Sequence, residues 1–288
     1  MLSVWLTTAL LAQGPDERAV LRSHCPSLVS VPIHRGSHPA PLIDVEIAGK
    51  KRHMLVDTGA SGSVVAQKFV DELHLKPFAH SQSEDPSGKN SVQVDLYRIP
   101  EVKIGGATFY GVLVFVLPKT LQSPSIDAVM QDGVLSYAIF RDQLLTFDFP
   151  RKTLTFGPGE LPLSAAKFTM PTGTVAVDVA IGSLVVPCQI DTGAAGGLMV
   201  PSELRDRLPL DGEPKPAGKT STLFNTMEVL EANLKGPVEV CGVRLDVPTV
   251  EMHAGFPVGN IGNGVLQNLV VTIDQRNQRV RLVKKERT

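Results

Sequence analysis

Asp57 and Asp191 each open an Asp-Thr-Gly-Ala run at the end of a stretch that reads as a strand. A lone Asp-Thr-Gly is ordinarily a turn, because aspartate and glycine suit tight backbone geometry. Two copies 134 residues apart ask for another explanation. Two carboxylates at close range cannot both ionise easily, so such a pair titrates as a unit and shares one proton over an acidic to near-neutral range. That places an acid and a base at one point: the ionised member takes a proton from water while the protonated member polarises a carbonyl. No metal, cofactor or covalent nucleophile is required. Thr58 and Thr192 carry hydroxyls suited to backbone hydrogen bonds across the pair, with ordinary β-branched strand packing as the other reading. Gly59 and Gly193 let neighbouring backbone approach closely.

The elements that would bring the two carboxylates together are written twice. Met54-Leu-Val-Asp57-Thr-Gly-Ala-Ser-Gly62 recurs as Cys188-Gln-Ile-Asp191-Thr-Gly-Ala-Ala-Gly196, and Pro86-Ser-Gly-Lys89 as Pro216-Ala-Gly-Lys219. Gly133-Val-Leu-Ser136 corresponds to Gly259-Asn-Ile-Gly262, and Leu144-Leu-Thr-Phe-Asp148 to Val270-Val-Thr-Ile-Asp274, both at an offset of 126. Each copy opens with an alternating hairpin, 42–47 with 53–56 and 175–181 with 185–190, and its Asp-Thr-Gly follows directly. Short helices are predicted over 66–75 and 202–208, the second with Ser202 as a cap after Pro201. Further strands are predicted over 101–104 with 109–117, and over 237–240 with 244–250. The result is a mostly β, bilobal chain: an N-terminal segment over 1–27, lobes over 28–158 and 165–285, and a turn-rich join at Gly157-Pro-Gly-Glu-Leu-Pro162. If like lobes pack about a pseudo-twofold axis, equivalent residues near it meet, and Asp57 faces Asp191 within one monomer.

Composition narrows the field. The 288 residues suffice for two domains, and a formal net charge of -1 offers no excess of either sign for nucleic acid or an anionic membrane surface. Cys25, Cys188 and Cys241 lack the paired spacing of a zinc site; Cys188 reads as a small hydrophobe in a buried strand, with a bridge to Cys241 as the alternative. His34 and His38 read as surface histidines, because Pro39 and Pro41 make their segment extended. The loop from Gly212 to Thr220 has the wrong glycine spacing and two prolines for a phosphate site, and there is no Gly-x-Ser-x-Gly elbow. Residues 1–12 form an apolar run ending in Ala12, too short to span a bilayer; removal on export and retention as an N-terminal segment are both open.

In its Asp-Thr-Gly-Ala runs and its duplication the sequence resembles the retropepsin-like and pepsin-like aspartic peptidases over almost its whole length past the N-terminal segment. The resemblance implies an acid-protease-like fold of two β-barrel-like lobes and an endopeptidase acting on polypeptide, with Asp57 and Asp191 catalytic. A catalytically inactive peptide- or protein-binding module is the alternative. Ala60 and Ala194 stand where pepsin-like sites carry a hydroxyl that supports the ionised carboxylate, which implies a less depressed dyad pKa. A hydrophobic-hydrophobic-Gly segment is implied behind each catalytic loop; Ser136 replaces the glycine in one copy and Asn260 an apolar residue in the other. Substrate-covering flaps are implied over 83–97 and 214–228, with Gly88 and Gly218 as candidate tips or plain loop glycines.

Overall fold

The computed structural model describes residues 3–5, 9–10, 20–34, 36, 38–84, 91–117, 130–171, 173–222 and 226–285. Strand accounts for 56% and helix for 9%, so the helices cap the sheets and form no layer of their own.

In the first lobe, β1 (Val29–Pro32) leads into a hairpin of β2 (Leu42–Ile47) and β3 (Lys50–Asp57), paired from Leu42↔Leu55 to Ile47↔Lys50. Ala48 and Gly49 turn the hairpin with φ of 52° and 73°, a two-residue turn whose twist matches that of the strands. Next come β4 (Ser63–Val65), α1 (Gln67–Glu72), the hairpin β5 (Ala79–Glu84) with β6 (Ser91–Ile104), and β7 (Ala107–Val116). Then β8 (Gly133–Ser136) runs parallel to β3, with Ser136 opposite Asp57, and antiparallel to β4, so it crosses behind the Asp57 loop. A 3-10 turn (Tyr137–Phe140), β9 (Leu144–Asp148) and β10 (Thr153–Gly157) complete the lobe.

The second lobe follows the same course. It contains β11 (Ala166–Lys167), the hairpin β12 (Ala176–Ile181) with β13 (Leu184–Ile190), and β14 (Leu198–Pro201). The hairpin β15 (Leu210–Thr222) with β16 (Thr226–Leu234) precedes β17 (Val238–Val240), β18 (Val243–Leu245) and β19 (Thr249–His253). Here β20 (Gly259–Ile261) runs parallel to β13 and antiparallel to β14, as β8 does to β3 and β4. Then come α2 (Asn263–Leu266), β21 (Leu269–Asp274) and β22 (Arg279–Lys284).

The lobes are stitched by a six-stranded sheet ordered β11-β22-β21-β9-β10-β1, three strands from each. At its centre β9 and β21 pair antiparallel, with Leu144 opposite Asp274, Thr146 opposite Thr272 and Asp148 opposite Val270. Thr146 and Thr272 are equivalent in the duplication, and their hydroxyls lie 3.0 Å apart. A residue that pairs with its own counterpart lies on the symmetry axis, so the sheet itself displays the pseudo-twofold. One apolar core runs through both lobes and includes Phe109, Phe140, Phe147, Phe156, Val179, Val250 and Ile273.

The lobes differ on the other face of their sheets. In the first, Leu55, Val64, Leu96, Phe115 and Val134 form a second apolar cluster. Strand register makes their counterparts Gln189, Met199, Glu231, Glu251 and Asn260, and only Ala194 and Met199 cluster there.

Several local expectations change. The helix after β14 is a 3-10 turn over Ser202–Arg207 with Pro201, not Ser202, at the cap position. The strand expected at 101–104 extends back to Ser91, and that expected over 244–250 divides into β18 and β19. Gly218 is not a hairpin tip: it lies within β15 opposite Val229, where the register shifts after Pro216. A glycine at φ 104° there lets the strand absorb the irregularity. Gly88 lies outside the described residues. The cysteines are free, with Cys188 buried in β13 as a small hydrophobe. Among the described residues no helix is long and apolar enough to cross a membrane.

Candidate active site

Asp57 is the last residue of β3 and Asp191 directly follows β13, so two equivalent hairpins deliver the carboxylates to the seam from opposite sides. Both are essentially buried, at 0% and 1% exposure. The threonines beside them reach across. Thr58 Oγ1 donates to the Ile190 carbonyl at 2.6 Å, and Thr192 Oγ1 to that of Val56 at 2.8 Å. Each hydroxyl also accepts from the other threonine's backbone N–H at 3.0 Å. Two of these hydrogen bonds tie each aspartate loop to the strand feeding the other and two tie the loops to each other, and all four are buried.

The inner carboxylate oxygens are held by backbone. Asp57 Oδ1 accepts from Gly59 N–H at 2.7 Å and from Gly193 N–H at 3.2 Å. Asp191 Oδ1 accepts from Gly193 N–H at 2.9 Å and Ala194 N–H at 3.0 Å. A Cβ on Gly59 would overlap the Asp191 carboxyl, and one on Gly193 that of Asp57, so only glycine fits at either place. The outer oxygens differ. Asp191 Oδ2 accepts from the Asn260 side-chain amide at 3.2 Å, whereas Asp57 Oδ2 has no donor among the described residues. Burial and then the neighbouring Asp191 charge push the Asp57 carboxyl well above the ordinary range. Burial also raises Asp191, to about 6, against the opposing donors Gly193, Ala194 and Asn260 and its hydrogen bond with Asp57. The carboxyls touch, and an undonated Asp57 Oδ2 is satisfied if it carries the shared proton and gives it to Asp191.

The loops are secured from behind by different means in the two lobes. Ser136 Oγ donates to the Ala60 carbonyl at 2.6 Å and accepts from Ala138 N–H, while Ser136 N–H donates to Ser63 Oγ. The serine that departs from the glycine pattern thus pins the Asp57 loop. At its counterpart, Gly262, a Cβ would strike the Gly196 carbonyl, and Asn263 does the work: its amide donates to the carbonyls of Thr192 at 2.7 Å and Ala194 at 2.8 Å. Sequence reading passed over Ser63 and Asn263; the signal for Asn263 is an amide at the residue after the crossing segment, where the first copy has Tyr137. No cluster of side chains among the described residues is arranged to hold a metal ion.

Two lobes of one duplicated β chain, meeting at paired, reciprocally braced aspartates, define an acid-protease-type architecture. Residues 43–139, within the first lobe, match the family model described as aspartyl protease. The second lobe is linked to that match by the duplication and the shared topology. No curated protein matches the sequence.

Proposed function

We propose that this chain is an endopeptidase that hydrolyses extended polypeptide at the Asp57–Asp191 pair, one monomer supplying both halves of the site. The observation that carries the reading is the pair itself: two buried carboxylates in contact, each locked to the opposite lobe by a threonine, with a raised affinity for one shared proton. In the reaction the ionised carboxylate removes a proton from water as its oxygen bonds to the scissile carbonyl carbon, and the protonated carboxylate gives its proton to the carbonyl oxygen. In collapse, the carboxyl that took the water proton passes it to the departing nitrogen as the C–N bond breaks, while a hydroxyl of the diol intermediate returns its proton to the other carboxylate as the C=O re-forms, restoring the singly protonated pair. The edges of the β5/β6 and β15/β16 hairpins suit main-chain pairing with an extended peptide. The chain's own residues support this mode: Ser3–Trp5 pair along Thr220–Thr222, and Ala9–Leu10 along Ser83–Glu84. The apolar N-terminal run supports export with removal of that segment, which N-terminal sequencing of the mature protein tests.

The test of function is incubation with a denatured protein across a pH series, comparing wild type with Asp57→Asn and Asp191→Asn. Cleavage by wild type that each substitution abolishes supports the reading; cleavage surviving both refutes it. Failure of wild type to cleave at any pH, with no binding of a transition-state analogue, assigns the chain to the non-catalytic binding modules.

A further inference from the structure

A symmetric frame gives no reason for either of two identical aspartates to hold the negative charge. The residues that break the symmetry next to them do. Asn260 lies on β20 opposite Gln189, and its counterpart Val134 lies on β8 opposite Leu55. Both positions are buried, at 2% and 0% exposure. Val134 belongs to an apolar cluster and offers the Asp57 side nothing polar. Asn260 aims its amide nitrogen at Asp191 Oδ2, 3.2 Å away, and its own Oδ1 has no partner among the described residues. A buried amide with an unpaired oxygen costs stability that valine would not, so the position is tuned to something besides packing.

We propose that Asn260 is a positioning residue that fixes the polarity of the pair, holding the anion on Asp191 and leaving the shared proton on Asp57. An amide N–H donates to a carboxylate more strongly than to a neutral acid, so it favours the charged form of the group it touches. The other groups facing the pair do not reverse this preference. Asp191 Oδ1 takes two backbone N–H donors and Asp57 Oδ1 also takes two, with Gly193 N–H shared between them. Behind the second lobe's loop, Gln189 Oε1 is occupied by the Thr174 hydroxyl, and the Glu251 carboxylate is bonded to Gly197 N–H. The Asp57 carboxyl is hydrogen-bonded to Asp191 and, like the Gly193, Ala194 and Asn260 donors, lowers its pKa. Asn260 therefore makes the difference between the two outer oxygens, and Asp191 becomes the base toward water while Asp57 becomes the acid toward the carbonyl.

This assignment rests on the peptidase reading for its consequence but not for its test. In the full-length chain carrying carboxyl-labelled aspartate, 13C NMR titration follows both carboxyls, assigned with Asp57→Asn and Asp191→Asn. The wild type should ionise Asp191 first. Asn260→Val, with Asn260→Leu as the alternative if valine does not yield folded protein, should raise the Asp191 transition by about one pH unit, the size of one hydrogen bond to a charged group. The acid limb of kcat/KM should move up with it, lowering activity about tenfold on the acid side. Asp57 ionising first in wild type, or an unmoved Asp191 transition in a folded variant, overturns the assignment. Absence of peptide cleavage by wild type would sink the function while leaving the titration readable.

Discussion

Thr58→Val tests the cross-lobe brace most directly. The hydroxyl lost is both the donor to the Ile190 carbonyl at 2.6 Å and the acceptor for Thr192 N–H at 3.0 Å, and Thr58 is fully buried. Valine keeps nearly the same shape, so no cavity opens, but two backbone groups in the seam lose their partners. An unsatisfied buried group costs about 1–3 kcal/mol, which puts the loss for the two at roughly 2–6 kcal/mol. Equilibrium urea unfolding with an unchanged m-value should show it as a lowered midpoint. Thr146→Val supplies the comparison. That residue sits in the same seam, but among the described residues its hydroxyl pairs with Thr272 Oγ1 and no backbone group, so no backbone group is orphaned and the loss should be about 1 kcal/mol. Thr58→Val should also lower kcat more than it raises KM, because the carboxylates shift while the hairpins stay. A Thr58→Val loss under about 1 kcal/mol, or one equal to that of Thr146→Val, would refute the idea that the brace holds the lobes in register.

Asp57→Asn should abolish turnover yet stabilise the fold at neutral pH. A carboxyl raised on folding contributes stability that is complete below the ordinary aspartate pKa and lost as pH climbs through its folded pKa, so the variant's advantage should be smallest in acid and grow toward neutral pH, read from paired denaturation curves. Gly193→Ala drives a methyl into the Asp57 carboxyl and should cut kcat by about a hundredfold in a peptide assay with the secondary structure intact by circular dichroism. Ser136→Ala frees the Ala60 carbonyl and uncaps Ala138, with an expected loss of about 1–2 kcal/mol by urea unfolding.

The parts of the fold that were legible in the sequence are those where local pattern and repeat agree. The hairpins before each aspartate declare themselves by alternation, and the equal spacing from Gly133 to Asp148 and from Gly259 to Asp274 marks the segments that cross behind the site and form the seam. The β15/β16 hairpin was implied, as a flap over 214–228, by the family resemblance alone; its residues were not legible as strand. Leu210–Thr222 carries Pro214, Pro216, Gly212 and Gly218, a composition that reads as loop, and the ladder survives by shifting register between Asp211 and Lys215 and again between Pro216 and Gly218. Asn263 and Ser63 were invisible for a different reason. Their value lies in reaching a particular carbonyl or amide across the crossing strand, and neither alternation nor motif spacing encodes that reach.

Duplication explains why the two carboxylates meet, and departures from it explain how they come to differ. Every contact that treats Asp57 and Asp191 alike, from the threonine brace to the glycine N–H donors, falls on residues identical in both copies. The side-chain contacts that distinguish them fall where the copies diverge: Asn260 against Val134 at the outer oxygens, and Ser136 and Asn263 against Gly262 and Tyr137 behind the loops. The divergence extends along the same sheet face, where Leu55, Leu96 and Phe115 in one lobe become Gln189, Glu231 and Glu251 in the other. General acid–base hydrolysis needs one proton donor and one acceptor at the same pH, which two equivalent aspartates supply only as an average. On the proposed reading, a second lobe with polar groups packed behind its aspartate loop, opposite a first lobe with apolar ones, resolves that average into two roles.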